Sequence, residues 1–199
     1  MNFNIELKPL LLPNLTPIML NLPDPVVTYL NGVIDDMQAN PSNYHAHNAR
    51  LAGHLVSEYW VEFNQDFQDL VVGIGHEFLR MNSQPSRTLR LESTWVNLQR
   101  KHEFNPVHNH DGHLSFVIWL RVPYRLEDEM NMFPEARGRR TSQFEFAYTS
   151  IIGHHCTTLI PVDGDWQGRM CMFPAALPHS VYPFYTSDGL RVSISGNLA

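Results

Sequence analysis

The sequence predicts a mostly β protein with helices at its N-terminal end, built around a sandwich or barrel of the jelly-roll kind. Three observations carry that expectation. Apolar residues repeat at helical spacing only in the first part of the chain. From about Thr88 onward they alternate with polar ones, the period of a strand. These alternating segments are short and are separated by turns rich in Gly, Pro and Asp, such as Asp163-Gly164-Asp165, with no helical stretch between them.

Taken in order, Asp24 followed by Pro25 reads as a helix cap and first-turn proline, and Val26, Leu30, Val33, Ile34 and Met37 then share a face. A second helix is expected from about Glu58 to Arg80, where Phe63, Phe67, Leu70, Val71, Ile74 and Phe78 repeat at helical spacing. Both would buttress a sheet. Strands are expected at Leu89 to Gln99, Leu114 to Val122, Gln143 to Thr149, Thr157 to Val162, Arg169 to Phe173 and Leu190 to Leu198. Between Pro123 and Thr141 lies a charged, Met-containing segment with Arg137-Gly138-Arg139-Arg140 near its end and no strand pattern. A stretch of that length inside a barrel reads either as a lid or binding loop or as disorder. Repeats and low-complexity tracts are absent, so the expectation is a single domain over 1–199, with 1–87 mainly helical support and 88–199 the jelly-roll core.

At 199 residues and 43% hydrophobic, the chain can bury one core and is short for two. Its formal net charge of −6, without a basic tract, argues against nucleic acid as a partner. Cys156 and Cys171 lie apart in apolar surroundings and form no disulfide framework. No apolar run approaches the roughly 18 residues of a membrane span, and Met1 to Glu6 lacks the basic flank of a signal peptide. The expectation is a soluble cytoplasmic protein, with a homodimer left open.

The chemistry concentrates in Asn105-Pro-Val-His108-Asn-His110-Asp111 and in a downstream segment, Phe173-Pro-Ala-Ala-Leu-Pro-His179. Four of the 11 histidines, His102, His108, His110 and His113, crowd around the first, and neutral imidazole is the commonest transition-metal ligand. Residues two apart on a strand project to one side, so His108 and His110 can address one ion. Oxygen-activating ferrous centres are commonly held by two histidines and a carboxylate, in the spacing His-x-Asp. Here His110 stands where the carboxylate belongs, and Asp111 follows one residue later. Two ligand sets stay open: His108, His110 and His179, or Asp111 in place of His110 through a distorted strand end. His154 and His155, adjacent in sequence, point to opposite sides if extended and cannot chelate together, and His102 and His113 have no evident partner.

The last strand supplies the other half of the site. Leu190, Val192 and Ile194 alternate with Arg191, Ser193 and Ser195. If the polar face lines an interior pocket, Arg191 and Ser193 present a planar guanidinium and a hydroxyl to a carboxylate, which an arginine can bind through both oxygens. If the strand is an ordinary sandwich strand, the same face meets solvent. On the strand from Leu89, Trp95, Asn97 and Gln99 share a face that a barrel interior would turn toward the pocket.

With these residues in view, the chain resembles the iron(II)- and 2-oxoglutarate-dependent oxygenases, in particular the small prolyl-hydroxylase-like group found often in bacteriophages. The segments similar to that family are Arg50 to Gly53, Trp95 to Asn97, Glu103 to His110, Leu114 to Leu120, and Phe173 to His179 through Arg191 to Asn197. The resemblance implies a double-stranded β-helix that uses Fe(II), 2-oxoglutarate and O2 and converts the co-substrate to succinate. It implies that His108 and His179 are iron ligands and that Arg191, with Ser193, clamps the distal carboxylate of 2-oxoglutarate. Asn97 is grouped with that cofactor-binding set. The substrate would be a peptide or protein side chain or a small molecule, and a viral origin would place the enzyme in the host cytoplasm. Two rival readings remain: a cupin-like three-histidine dioxygenase that does not use 2-oxoglutarate, and a non-catalytic jelly-roll binding or structural protein.

Overall fold

In the computed structural model, residues 16–46, 53, 55 and 57–199 are described. They form, in chain order, β1 (Ile18–Asn21), α1 (Asp24–Ala39), β2 (His45–Ala46), β3 (Glu58–Trp60), α2 (Gln65–Met81), β4 (Leu91–Gln99) and β5 (Asn105–His108). The second half follows as β6 (Leu114–Arg121), α3 (Leu126–Asn131), β7 (Phe144–Thr149), β8 (His155–Ile160), β9 (Arg169–Pro174), β10 (His179–Val181) and β11 (Arg191–Leu198). Every pairing is antiparallel, and the strands make two sheets, ordered β1-β9-β6-β11-β4-β3-β2 and β5-β10-β7-β8. This is the jelly-roll arrangement expected from the alternating segments.

The large sheet is covered on both faces, and the alternation along its strands decides what each face meets. Phe116, Ile118 and Leu120 on β6, Met170 and Met172 on β9, and Val192, Ile194 and Leu198 on β11 pack with Leu30, Ile34 and Met37 of α1 and Phe67, Val71 and Phe78 of α2. The intervening residues Val117, Trp119, Cys171 and Phe173 turn inward and join Phe144 and Phe146 of the small sheet in a second core. Burying side chains of this size contributes on the order of 1.5–3 kcal/mol each, so α1 and α2 are held by the sheet rather than by their own propensity.

Several elements depart from the expectation. The second helix begins at Gln65, because Asn64 accepts the Phe67 N–H at 3.0 Å and caps it. Glu58 to Trp60 is instead a strand that pairs with Asn97 to Trp95 of β4. At the first helix Pro23 holds the cap position, and Asp24 lies in the first turn. The charged segment after Pro123 contains α3, whose Glu129 is fully buried and accepts the backbone N–H groups of Tyr185 and Thr186. The family-like stretch Arg50 to Ala52 lies outside the described residues.

Gly196 marks a close approach within the large sheet. A Cβ there would lie 2.6 Å from the Ser93 carbonyl oxygen and 2.7 Å from the Phe116 ring. Gly196→Ala is therefore expected to destabilise the protein by about 1–3 kcal/mol, seen as a lower denaturant midpoint at unchanged slope. A parental midpoint would mean that β4, β6 and β11 part at no cost.

Candidate metal centre

The strand β10 lies between β5 and β7 and sets His179 directly opposite His108. The chain leaves β5 at His108 and turns through Gly112, whose φ of 98° is a conformation open to glycine at little cost. That turn is tied to the turn preceding His179: His110 N–H donates to the Ala175 carbonyl at 2.9 Å, and Ala175 N–H donates to the His113 carbonyl at 3.1 Å. Leu177 N–H donates to Pro174 and Ala147 N–H to Pro178, both at 2.9 Å, so His179 leaves a rigid turn. Two stretches of chain far apart in sequence are thus locked together by backbone bonds, each carrying part of one side-chain cluster.

The rings of His108, His110 and His179 have centroids 4.3 to 5.0 Å apart. One ring nitrogen from each lies within 4.8 Å of the others. Nδ1 of His108 is 2.8 Å from the Pro106 carbonyl oxygen, and Nδ1 of His179 is 3.0 Å from that of Leu177. A carbonyl oxygen only accepts, so each Nδ1 carries the hydrogen and each Nε2 keeps its lone pair. A metal ligand needs this tautomer, and the carbonyls also fix the ring orientation. Burial among Phe144, Phe146 and Phe173 pushes the His179 pKa down to about 3, with the neighbouring His108 adding to the effect. His110 is pushed down to about 4 by burial and by His108, against the opposing pull of Asp111. Burial lowers His108 as well, against the bond to Pro106. All three imidazoles are thus held neutral at pH 7 with lone pairs to offer, as a divalent cation requires.

Of the two ligand sets left open by sequence, the structure gathers the three histidines, and Asp111 is exposed outside their cluster. His154 and His155 are exposed on the β7–β8 hairpin, His113 lies against Arg87, and His102 packs on Tyr185.

A cavity of about 250 Å3 adjoins the cluster. Trp95, Asn97 and Gln99 line it from β4 and Ser193, Ser195 and Asn197 from β11. Asn97 stands directly opposite Ser193 in the register, and its buried Oδ1 has no hydrogen-bond partner among the described residues. An unpaired buried polar atom in the wall suits a cavity that receives a polar molecule. Arg191 is 2% exposed and does not line the cavity. Its Nε donates to Gln99 Oε1 at 3.1 Å, and its Nη2 to Gln99 Oε1 at 2.7 Å and the Tyr182 carbonyl at 2.9 Å. Its Nη1 donates to Tyr124 Oη at 2.8 Å and the Ser142 carbonyl at 2.6 Å. The sequence did not point to Tyr124, Ser142 or Tyr182 as its partners. Glu58 and Trp60, also in the cavity wall, were hidden by the helical periodicity that follows them, although the cap at Asn64 was there to be read.

The chain belongs to the 2OG-Fe(II) oxygenase family, whose sequence model matches residues 93–197, more than half of its length. It is an enzyme that uses Fe(II), 2-oxoglutarate and O2 to oxidise a substrate, and the neutral three-histidine cluster beside a polar cavity fits such a metal and co-substrate. A Pseudomonas putida prolyl-4-hydroxylase aligns over 90% of each chain with a TM-score of 0.57 at 14% identity. The viral collagen prolyl hydroxylase of Paramecium Bursaria Chlorella virus-1 aligns over 92% of this chain and 94% of its own, with a TM-score of 0.53 at 12% identity. A non-heme alpha ketoglutarate dependent carbocyclase from nogalamycin biosynthesis aligns over 90% of this chain and 78% of its own, with a TM-score of 0.57 at 13% identity. At these identities the likeness establishes the shared fold. No protein of curated function matches the sequence. Among the described residues no helix is long and apolar enough to cross a membrane.

The depressed histidines make a pH prediction. Their folded pKa values lie below the ordinary 6.5, so between these limits the unfolded chain binds more protons than the folded one. Their contribution is fully present above pH 6.5 and is lost as pH falls toward about 4 for His110 and about 3 for His179. Chelator-treated protein should show a falling denaturant midpoint from pH 7 to 4, with a shallower fall in His179→Phe. Equal slopes in the two proteins would show that His179 titrates alike folded and unfolded.

Proposed function

We propose that this oxygenase hydroxylates a peptide or protein side chain of prolyl type, with His108, His110 and His179 as its iron ligands and Arg191 as the clamp for the distal carboxylate of 2-oxoglutarate. The observation that carries the reading is the cavity itself, which runs from the histidine cluster to the polar wall of β4 and β11, where the lining residue Gln99 is bonded to Arg191. Bound iron, with 2-oxoglutarate and O2, supplies the oxidising step that converts the co-substrate to succinate and CO2. The protein positions the reactants. Carbonyls of Pro106 and Leu177 aim two imidazoles, Phe144 and Phe173 keep water from His179, and Ser193 and Asn97 offer polar contacts to the co-substrate along its length.

The guanidinium of Arg191 has only neutral oxygen acceptors among the described residues, so a carboxylate would bring the missing countercharge. For the substrate, Trp60 is partly exposed at the cavity, packs edge-on to Trp95 at 6.0 Å, and Trp95 lies 5.2 Å from His110. An aromatic corner beside the metal suits a compact saturated ring such as that of proline, and two proteins of the same fold are prolyl hydroxylases. The whole chain acts as one oxygenase domain. The free thiols Cys156 and Cys171 suit the cytoplasm, that of the host if the protein is viral.

Replacing His108 or His179 with Ala is expected to abolish stoichiometric Fe(II) binding in anaerobic calorimetry, as is His110→Ala, while Asp111→Ala keeps it. Loss of iron in Asp111→Ala alone would transfer the third ligand to the carboxylate. With Fe(II) and ascorbate, the parent protein should release succinate without added substrate. Arg191→Met should need about ten- to hundredfold more 2-oxoglutarate, the loss of a charge-assisted pair of roughly 1.5–3 kcal/mol. Proline-containing peptides should gain one oxygen by mass spectrometry. Oxidation of free amino acids or nucleobases, with none of peptides, would reassign the substrate class.

A further inference from the structure

We propose that Gln99 guards the carboxylate seat on Arg191 and yields it to 2-oxoglutarate, so that this glutamine sets how tightly and how selectively the co-substrate is held. The inference rests on the reading of Arg191 as the carboxylate clamp. A guanidinium has five N–H donors, and in Arg191 every one is taken. An incoming carboxylate must therefore displace a partner already in place.

The partners differ in how easily they leave. The carbonyls of Ser142 and Tyr182 belong to the backbone: Ser142 N–H is bonded to the Pro183 carbonyl and Tyr182 N–H to the Gln143 carbonyl. The Tyr124 hydroxyl is buried and donates to the Ser142 carbonyl at 3.1 Å. Gln99 is a side-chain partner, and of the groups bonded to Arg191 it is the one that also lines the cavity. Its Oε1 accepts from both Nε and Nη2, so a single neutral oxygen holds the edge of the guanidinium that a carboxylate could grip. Arg191 and Gln99 are direct partners in the β4–β11 register, which keeps this contact in place without tertiary adjustment.

The exchange is favourable because an ionised acceptor bonds a guanidinium about twice as strongly as a neutral one. Gln99 satisfies the buried cation until the co-substrate arrives. A molecule must also reach it: a dicarboxylate with one end at the histidine cluster can present its other carboxylate to the guanidinium, whereas a short monocarboxylate such as pyruvate has nothing to offer in place of Oε1. Displaced, the Gln99 carboxamide keeps its Nε2 hydrogen bond to the Glu103 carbonyl or turns it toward the ligand.

Calorimetric titration of 2-oxoglutarate into the anaerobic Fe(II)-loaded protein tests this in Gln99→Ala, Gln99→Glu and Arg191→Met. Gln99→Ala should bind about three- to tenfold more tightly, since neutral hydrogen bonds no longer have to be given up. Gln99→Glu should bind about tenfold or more weakly, with a thermal midpoint at or above the parent's, because its carboxylate occupies the seat permanently. The Ala substitution should change nothing when added to Arg191→Met. Weaker binding in Gln99→Ala would overturn the proposal and make Gln99 a ligand of the co-substrate, and unchanged binding in Gln99→Glu would remove it from the seat. Unchanged binding in Arg191→Met would instead reject the clamp reading, whatever the two Gln99 variants do.

Discussion

The structure depends on a sheet that is buried on both sides yet polar on part of one of them. A strand covered on two faces is normally apolar throughout, since an unpaired polar group away from water costs more than its hydrogen bond returns. β6 and β9 follow that rule over most of their length, with Phe116, Ile118, Met170 and Met172 toward the helices and Val117, Trp119, Cys171 and Phe173 toward the small sheet, and the buried Ser115 hydroxyl satisfied by Asn197. β4 and β11 break it. Val96, Leu98, Val192, Ile194 and Leu198 on these strands join the helix-side core, but on the other face Asn97, Gln99, Ser193 and Ser195 line the cavity, with Arg191 buried beyond them. The helices hold these strands in place, and the inward face is left to chemistry.

That division explains which features were legible in the sequence. The alternation of Leu190, Val192 and Ile194 with Arg191, Ser193 and Ser195 placed the strand and its two faces, and the spacing of Val26, Leu30, Ile34 and Met37 placed α1. Periodicity could not say whether the polar face met solvent or a cavity, because both environments select the same residue types. The three-histidine cluster was foreseeable as a candidate from His108, His110 and His179. The sequence favoured that set over the one with Asp111, but the turn through Gly112 and its backbone bonds to Ala175, which help gather the three rings, could not be read from it. The shorter strands β1, β2, β3, β5 and β10 were invisible because a few residues show no period. Arg191's partners Tyr124, Ser142 and Tyr182 come from segments that only the tertiary fold brings together.

The histidine cluster and Arg191 present opposite electrostatic problems. The histidines are kept uncharged by phenyl rings and by one another, so they hold lone pairs ready for a cation. Arg191, by contrast, is surrounded by neutral oxygens that disperse its charge without cancelling it. The neutral histidines at one end of the cavity offer lone pairs to a positive charge, while at its polar wall Gln99 stands between the cavity and the buried guanidinium.

The strand that carries His108 is an edge strand of the small sheet. It contains Pro106, and its register with β10 slips beside the His179–His108 pair. An exposed strand edge is normally an invitation to another chain, but a proline withholds one amide from it and an irregular register spoils the match for any visiting strand. The rim beside the histidines is thereby a poor template for edge-to-edge strand pairing.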